Sequence, residues 1–143
     1  MLAVCSALAV SCGYRIFHHQ PGATRSTLQI QPVQQSPYGL LVSRKTGDRF
    51  IAIGDPVITE TDLRRVATST LDRGECAILI TFTPPAATRL ASFTSDKTGQ
   101  LLAIIVDGKV VSTPKILGKL SPTVQLRGFS CDEANSIASS IAP

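Results

Sequence analysis

The sequence of 143 residues contains no tryptophan, and aromatic residues make up only 5% of it. Its net charge is +4, yet the basic residues are scattered, and the densest group, Arg44, Lys45 and Arg49, surrounds a predicted turn. Nucleic-acid-binding surfaces concentrate bases on one face and add aromatic side chains that stack on nucleobases. The composition therefore predicts no nucleic-acid partner.

The chain also lacks the common catalytic and nucleotide-binding motifs, since no P-loop, GxSxG, HExxH or GxGxxG pattern occurs. Its serines have no candidate histidine base, because His18 and His19 both lie in a polar segment without an acidic or cysteine neighbour. We therefore predict that the protein is not an enzyme and holds no metal or other cofactor.

Cysteines are few, and none of them has the short spacing of zinc or thioredoxin-type sites. They are Cys5, Cys12, Cys76 and Cys131. Cys76 and Cys131 can pair in an exported protein, yet either is equally well a buried small hydrophobe. The sequence leaves these two alternatives open.

No apolar run reaches the about 20 residues of a membrane-spanning helix, but residues 1–11 are almost wholly small and apolar. A run of this length is typical of a secretory signal. Cys12 follows it directly, as in the lipobox of bacterial lipoproteins, although no Lys or Arg precedes the run. We predict a signal or lipobox-like segment at 1–12, acylated at Cys12 and anchored in a membrane. The alternatives are a frayed N-terminus or a buried first strand.

Residues 13–37 are rich in Gln, Pro, Ser, Thr and Gly and contain few large apolar side chains. Such a composition is typical of a semi-extended linker, with room for only a short strand at 28–30. The hydrophobic content of the whole chain, 43%, is sufficient for a core. We therefore predict a flexible tether at 13–37 and one folded domain at 38–143.

The strongest structural pattern in this domain is the hairpin LLAIIVDGKVVSTP at 101–114. Its first arm is a run of six apolar residues, which is typical of a strand covered on both faces. Asp107 and Gly108 tolerate the positive φ of a type I′ turn, and Pro114 ends the return arm because it cannot donate to a ladder. The predicted register forms two β-branched pairs, Ile105 with Val110 and Ile104 with Val111.

From residue 38 onward the patterns indicate further strands and helices. A hairpin is predicted at 38–54, and a helix at 59–73 because Thr59 and Asp62 resemble a capping box ahead of apolar residues at helical spacing. Those apolar residues are Leu63, Val66, Ala67 and Leu71. The further predicted elements are a strand at 76–82, a helix at 84–98, a strand at 123–127 and a helix at 131–141 opened by the capping box of Ser130 and Glu133. This order predicts an α+β fold, a two-layer sandwich with helices packed on a mainly antiparallel sheet around the central Asp-Gly hairpin.

Several of these pieces together resemble the periplasmic head subdomain of SecD and SecDF, membrane proteins that assist protein export. The resemblance spans 57–141 and includes the VDGKV and STP pieces of the hairpin and the LRGFS and EAN pieces that follow. In this family the head is a non-catalytic module outside the cytoplasm that is thought to contact the emerging polypeptide. The resemblance therefore implies a role in the cell envelope without catalytic residues, and Asp107, Gly108 and Pro114 keep a structural role in the turn.

The leading hypothesis is an exported, non-catalytic protein-binding module of the cell envelope or periplasm, with a polypeptide or an envelope protein as partner. Its predicted binding mode is strand addition at the edge of a sheet. The residues predicted for this edge are Thr123, Val124, Gln125, Leu126 and Arg127. The alternatives are a structural or oligomerising accessory protein of the envelope and, less favoured, a small-ligand or hydrolytic domain.

Overall fold

The computed structural model describes residues 14–118 and 122–143. The predicted signal segment at 1–12, with its acylated Cys12, lies outside the described residues. The described strands are β1 (Tyr14–Phe17), β2 (Leu28–Gln35), β3 (Leu41–Val42), β4 (Arg49–Ala52), β5 (Ile58–Thr59), β6 (Leu63–Thr70), β7 (Glu75–Phe82), β8 (Leu101–Val106), β9 (Lys109–Ser112) and β10 (Thr123–Ser130). The described helices are α1 (Pro84–Thr94) and α2 (Cys131–Ile141), and short 3₁₀ turns lie at Glu60–Asp62 and Asp72–Gly74.

The strands form two sheets whose ladders are antiparallel. The first sheet has the order β1-β6-β7-β10. The second has the order β3-β4-β2-β8-β9, and β5 also pairs with β2. An antiparallel architecture accompanied by two helices confirms the predicted α+β fold class.

One main hydrophobic core is built from both sheets and both helices. Strand alternation directs Ile78 and Ile80 of β7 and Leu102 and Ile104 of β8 into it. Other fully or almost fully buried members are Leu28, Ile30, Val66, Leu90, Ala134 and Ile141. Each buried Leu or Ile side chain stabilises the fold by about 1.5–3 kcal/mol, so this core is the principal source of stability.

A second, smaller core lies on the opposite face of the second sheet. The sheet curls until Ser43, just after β3, forms a parallel bridge with Val110 of β9. The Arg44 N–H donates to the Val110 carbonyl at 2.9 Å and reinforces this closure. The residues enclosed by it are Val33, Phe50, Ala103, Ile105 and Val110. The β3–β4 hairpin therefore covers a face of β8 that would otherwise meet water.

The register of β8 and β9 agrees with the sequence prediction at one pair and departs from it at the next. Ile105 lies opposite Val110, but Ile104 lies opposite Ser112, so the predicted pairing of Ile104 with Val111 is wrong. Val111 is the extra residue of a β-bulge, and it belongs to the main core together with Ile104. Consecutive residues of β9 contribute to different cores, Val110 to the second core and Val111 to the main core.

The helix predicted at 59–73 is wrong. The Thr59 N–H does donate to Asp62 Oδ2 at 2.9 Å, but this capping box serves only the single 3₁₀ turn Glu60–Asp62. From Leu63 onward the chain is strand β6, which pairs with both β1 and β7. The helical signal therefore came from a real cap and from a strand whose apolar spacing imitates a helix.

A β-bulge explains that spacing. Leu63 lies opposite Phe82, whereas Val66 lies opposite Ile80, so one extra residue is inserted in β6 between these pairs. Phe82 and Ile80 share one face of β7, and the insertion places Leu63 and Val66 on that same face. Leu63 and Val66 are three positions apart and both point inward. This spacing is normal for a helix, but here the bulge produces it in a strand.

The flexible tether predicted at 13–37 is also wrong, because β2 lies between β8 and β4 within the second sheet. Leu28 and Ile30 of β2 are buried in the main core, and Val33 is buried in the second core. The segment ahead of β2 is fixed to the end of the chain, since the His19 N–H donates to the Pro143 carbonyl and the Ser26 N–H to the Ser140 carbonyl, both at 2.9 Å. The folded domain therefore includes these residues.

Pro32 is tolerated in this strand because of what lies beside it. Its carbonyl accepts a hydrogen bond from the Ile53 N–H at 3.0 Å, just after β4 ends at Ala52. Proline has no backbone N–H, and at Pro32 that N–H would point into the gap between β4 and β5, where no strand residue needs it as a donor. The alternation of apolar residues and glutamines in LQIQ at 28–31 is a strand pattern that the proline-rich composition concealed.

The two helices occur where the sequence predicts them. Helix α1 begins at Pro84 as expected but ends at Thr94, four residues before the predicted end at 98. Helix α2 has the predicted bounds and capping box, because the Glu133 N–H donates to Ser130 Oγ at 3.2 Å and the Ser130 N–H to Glu133 Oε2 at 3.1 Å. Both helices contribute buried side chains to the main core.

Candidate functional site

Strand β10 is the last strand of the first sheet and contains every residue predicted for the binding edge. It pairs with β7 on one side, and no described strand pairs with its other side. The predicted strand at 123–127 is three residues too short, since β10 continues to Ser130 through a bulge after Leu126. A terminal strand presents backbone donors and acceptors to an added strand.

The ladder between β7 and β10 indicates which backbone groups face outward. The Phe82 N–H donates to the Pro122 carbonyl at 3.0 Å, so these residues form a hydrogen-bonded pair. Hydrogen-bonded and non-hydrogen-bonded pairs alternate along an antiparallel ladder, and therefore Val124 and Leu126 bond to β7. Gln125, between them, directs its backbone N–H and C=O away from β7.

Side chains on β10 alternate between the core and the outer face of the first sheet. Val124 and Leu126 pack on the main core. Gln125 and Arg127 are exposed. Thr123 Oγ1 lies 3.0 Å from Thr81 Oγ1 of β7, which joins the two strands on the outer face. The accessible backbone of β10 is thus centred on Gln125.

The far end of β10 is covered by the β3–β4 turn. Gly128, in the bulge, has a φ of 91°, and a Cβ at this position would lie 2.9 Å from Lys45 Nζ. The Lys45 ammonium lies over the Phe129 ring, 4.7 Å from its centroid, in a cation–π contact. These contacts restrict an added strand to the part of β10 before the bulge.

Next to this corner lies a depression with a volume of about 370 Å³. Its charged lining is mixed, with Arg44 and Lys45 on one side and Asp132 and Glu133 on the other. Glu133 is already engaged in the cap of α2. The depression therefore has no excess of one charge that would select a charged ligand.

The outer face of the first sheet adds apolar surface that the sequence analysis missed. Gln125 lies opposite Leu79, Leu79 opposite Ala67, and Ala67 opposite Ile16, so one row of side chains crosses all four strands. A depression of about 260 Å³ lies on this face beside Tyr14, Ile16 and Leu79. The row was missed because β6, one of its two inner strands, was predicted as a helix, and because β1 was assigned to the tether.

The turn residues predicted from the sequence lie away from this edge. Asp107 and Gly108 have φ values of 49° and 80° and connect β8 to β9. The Asp107 carboxylate accepts hydrogen bonds from Ser26 Oγ at 2.7 Å and from the Thr27 N–H at 3.0 Å. Pro114 lies two residues after β9, and its carbonyl accepts from the Leu102 N–H at 3.0 Å. All three residues thus have a structural role in the second sheet.

The contacts of Asp107 predict a specific pH dependence of stability. The hydrogen bond from Ser26 lowers the pKa of this carboxyl, partial burial opposes the shift, and the Thr27 donors add to it. A folded-state pKa below the unfolded value of about 3.9 stabilises the fold above that pH, and the contribution is lost as pH falls through the folded-state pKa. The stability difference between wild type and Asp107→Asn is expected to be constant from about pH 5 to 8 and to shrink below about pH 4.

This difference should stay below about 1 kcal/mol, because Asp107 is exposed to solvent. Urea unfolding at a series of pH values measures it. The matched control is Asp96→Asn, an exposed carboxylate whose recorded ion pair is with the adjacent Lys97 at 3.5 Å. The control measures the effect of replacing an exposed carboxylate that has no contact with Ser26 or Thr27, and an Asp107→Asn difference that grows below pH 4 would contradict the assignment.

The two cysteines left open by the sequence form a disulfide, Cys76–Cys131, with Cα atoms 4.7 Å apart. It joins β7 to the first residue of α2. Within residues 14–118 and 122–143, no group of three or more His, Cys, Asp or Glu side chains is placed to hold a metal ion. In the same part of the chain, no helix has the length and apolar character that crossing a bilayer requires.

These observations define a small α+β domain whose candidate site is a strand edge. Residues 39–142 match the family described as SecDF, P1 head subdomain, and the chain belongs to this family. Among its relatives is the protein translocase subunit SecD of Aquifex aeolicus, 35% identical over 100 residues that cover 69% of this chain and 20% of the relative. SecD of Rhodobacter capsulatus is 32% identical over 85 residues, 58% of this chain and 15% of the relative. The chain thus spans a fifth or less of these relatives.

Solved structures show the same fold. A structure described as a membrane component SecDF that enhances protein export superposes with a TM-score of 0.65 at 20% identity, covering 99% of this chain and 70% of the other. SecDF in its Super-membrane-facing form gives a TM-score of 0.65 at 22% identity, covering 82% of this chain and 19% of the other. At such identities the likeness is evidence for the fold.

Proposed function

We propose that this chain is a non-catalytic, protein-binding module of the cell envelope that takes part in protein export by holding an extended polypeptide. Its membership of the SecDF P1 head family supports the export role. The observation that carries the binding mode is the edge of β10, where Gln125 directs its backbone groups away from β7 and lies opposite the apolar Leu79. A polypeptide added there would gain main-chain hydrogen bonds and side-chain contacts with the outer row.

The fold suits this role because it holds the edge of β10 in a fixed position. In this proposal the helices pack on the antiparallel strands as a two-layer sandwich, and the hairpin of β8 and β9, with its exposed Asp107-Gly108 turn, is the central element of that sandwich. The capped start of α2 and the Lys45 contact on Phe129 fix the far end of β10. A pre-organised edge binds with less ordering cost than a flexible one, because only the polypeptide loses conformational freedom.

The proposed location is extracytoplasmic. The Cys76–Cys131 disulfide supports it, since such bonds persist in oxidising compartments. Acylation of Cys12 would hold the domain at a membrane surface, because each buried methylene of an acyl chain adds about 0.8 kcal/mol of binding free energy. The partner is then a polypeptide or envelope protein that passes within reach of this surface.

The variant Gln125→Pro tests the binding mode. Proline removes one outward N–H and its ring obstructs an added strand, yet edge strands tolerate proline when its missing donor faces solvent. We expect binding of a reduced and alkylated, permanently unfolded model protein to weaken at least tenfold, as measured by fluorescence anisotropy. The melting temperature should change by only a few degrees.

The matched control is Gln125→Thr, which changes the side chain and keeps the backbone donor. It should bind the unfolded protein within about threefold of wild type. Equal binding by Gln125→Pro and wild type would refute strand addition at β10. If the wild type binds no unfolded protein but sediments as a dimer that Gln125→Pro dissociates, the edge serves oligomerisation, which is the alternative function.

A further inference from the structure

Strand β1 begins only two residues after Cys12, the cysteine that the proposed function acylates. An extended chain spans at most about 3.6 Å per residue, so Tyr14 lies within about 7 Å of Cys12. The sequence predicts a flexible tether in this region, but Tyr14 already belongs to a sheet. An anchor at Cys12 is therefore attached almost directly to the folded domain.

The pairing of β1 determines which side chains lie nearest to this anchor. All four residues of β1 pair with β6, from Tyr14 opposite Ser69 to Phe17 opposite Val66. Phe17 packs against the main core. Strand alternation therefore directs Tyr14 and Ile16 to the outer face of the first sheet.

The outer face beside β1 is apolar and accessible. Tyr14 is 52% exposed and Ile16 is 45% exposed. Both line the depression of about 260 Å³ together with Leu79 of β7, and no acid lines it. Tyrosine, with an apolar ring and a polar hydroxyl, is favoured at the headgroup level of a membrane. The other side chains around the depression are Arg65, Ala67, Thr81 and Thr123.

The charges around this face are of both signs. Arg65 lies at one end of it, and Glu75, on the same face of β7 as Leu79, lies at the other. Arg64 and Arg127 lie in the bulges of β6 and β10, and Asp72 lies in the turn before β7. Charge therefore does not select the surface that this face meets, and its apolar middle must account for any docking.

The short distance to Cys12 indicates what meets this face. The headgroup layer on each side of a bilayer is about 5–8 Å thick. Acyl chains in the hydrocarbon keep Cys12 at the boundary of this layer, so Tyr14 lies at headgroup level and Ile16, at most about 14 Å from Cys12, lies close to it. A domain standing on the end of β1 would leave the apolar face in water, whereas laying this face down buries Tyr14, Ile16 and Leu79 together.

We propose that the outer face of the first sheet, at β1, docks on the bilayer that holds Cys12, with Tyr14 and Ile16 at headgroup level. This inference rests on the acylation of Cys12 in the proposed function, and it adds a fixed orientation to that anchor. Strand β10 lies three strands from β1, about 14 Å away, and the sheet twist of about 20–25° per strand turns it away from the bilayer. The edge at Gln125 thus stays open to a polypeptide at the membrane surface.

The test uses the full-length chain with Cys5→Ser and a phospholipid coupled through maleimide to Cys12, in vesicles of phosphatidylcholine. Cys76 and Cys131 do not react because they form the disulfide. The chain has no tryptophan, so Ile16→Trp and Leu79→Trp each create a single reporter. Phosphatidylcholine brominated on its acyl chains measures how close each tryptophan lies to the bilayer.

The matched control is Tyr38→Trp, at a position that is 89% exposed in the loop before β3 of the second sheet. We expect at least threefold more quenching at position 16 than at position 38, and at least twofold more at position 79. Adding Ile16→Asp to Leu79→Trp should lower the quenching at position 79 at least twofold. The exposed position 16 tolerates a carboxylate in water, but a carboxylate opposes insertion.

The outcomes separate the docking from the anchor. Quenching at position 16 but not at 79 would show that the domain stands on β1, and quenching equal to that at position 38 would show that the face stays in water. Either result, or no effect of Ile16→Asp, overturns the docking. Metabolic labelling of the wild type with a fatty acid tests the anchor by itself. A Cys12 without label refutes the acylation and the docking with it, whereas a labelled Cys12 without quenching at positions 16 and 79 refutes the docking alone.

Discussion

Replacing Ile105 with aspartate is expected to abolish the cooperative unfolding transition. Ile105 is 3% exposed, lies opposite Val110 on one side and Gln29 on the other, and packs in the second core with Phe50. A carboxylate at this position would be buried without a partner, at a cost of several kcal/mol. Since a domain of this size is stable by only about 5–15 kcal/mol, most or all of that margin would be lost.

Thermal unfolding followed by circular dichroism measures this effect. The matched control is Ile51→Asp, on β4 of the same sheet, where the side chain is 39% exposed and its carboxylate would reach water. We expect the control to melt within a few degrees of wild type. A cooperative melt of Ile105→Asp near the wild-type temperature would show that this face of β8 is not enclosed by the β3–β4 hairpin.

Helix α2 could be predicted in full because its determinants are local. The reciprocal bonds of Ser130 and Glu133 require only residues three positions apart, and the buried face repeats at helical spacing through Ala134, Ile137 and Ala138. No distant residue is needed to distinguish it from a strand. Elements with this kind of signal are determined by sequence alone.

Strand β6 could not be recognised in the same way, because its spacing depends on a partner. The bulge that brings Leu63 and Val66 to one face exists only in the ladder with β7. Thr68, a β-branched residue inside the false helix, is buried and donates to Asn135 Oδ1 of α2 at 2.9 Å. Tertiary context thus overrode a local pattern that satisfied the helical period.

Strand β2 was recognised only as a short strand at 28–30, since composition was given more weight than periodicity. Pro32 and the glutamines of 28–35 suggested a linker, yet Leu28 and Ile30 alternate with polar residues as in a strand. The gap between β4 and β5 that accommodates the proline is visible only in the sheet. The alternation itself was available in the sequence.

The candidate site was predictable only as a strand. Short apolar–polar alternation marks β10, but its position at the end of the first sheet depends on the order of four strands distant in sequence. The Lys45 contact on Phe129 joins residues 84 positions apart, and the row from Gln125 to Ile16 requires the registers of three ladders. Such arrangements follow from topology, which local patterns do not encode.

Removing the Cys76–Cys131 disulfide is expected to lower the free energy of unfolding by about 4 kcal/mol. The bond closes a loop of 55 residues, and the loss of chain entropy in the unfolded state predicts a stabilisation of this size. The loop contains α1, β8 and β9, so the cross-link constrains much of the main core in the unfolded ensemble. Urea unfolding of wild type and of the double variant Cys76→Ala/Cys131→Ala measures the loss.

Adding a reductant distinguishes the stability lost with the disulfide from the stability lost with the packing contacts of Cys76. Cys76 is buried, so its replacement by alanine removes a few core contacts as well as the bond. Wild type should therefore lose about 4 kcal/mol on addition of dithiothreitol, whereas the double variant should be unaffected by it. Because α2 begins at Cys131 beside the end of β10, reduction should also speed amide exchange at Phe129 and Ser130 more than at Ile104 of β8. Equal stability of wild type with and without reductant would show that the cross-link does not stabilise the domain, and uniform exchange would show that it does not fix this corner.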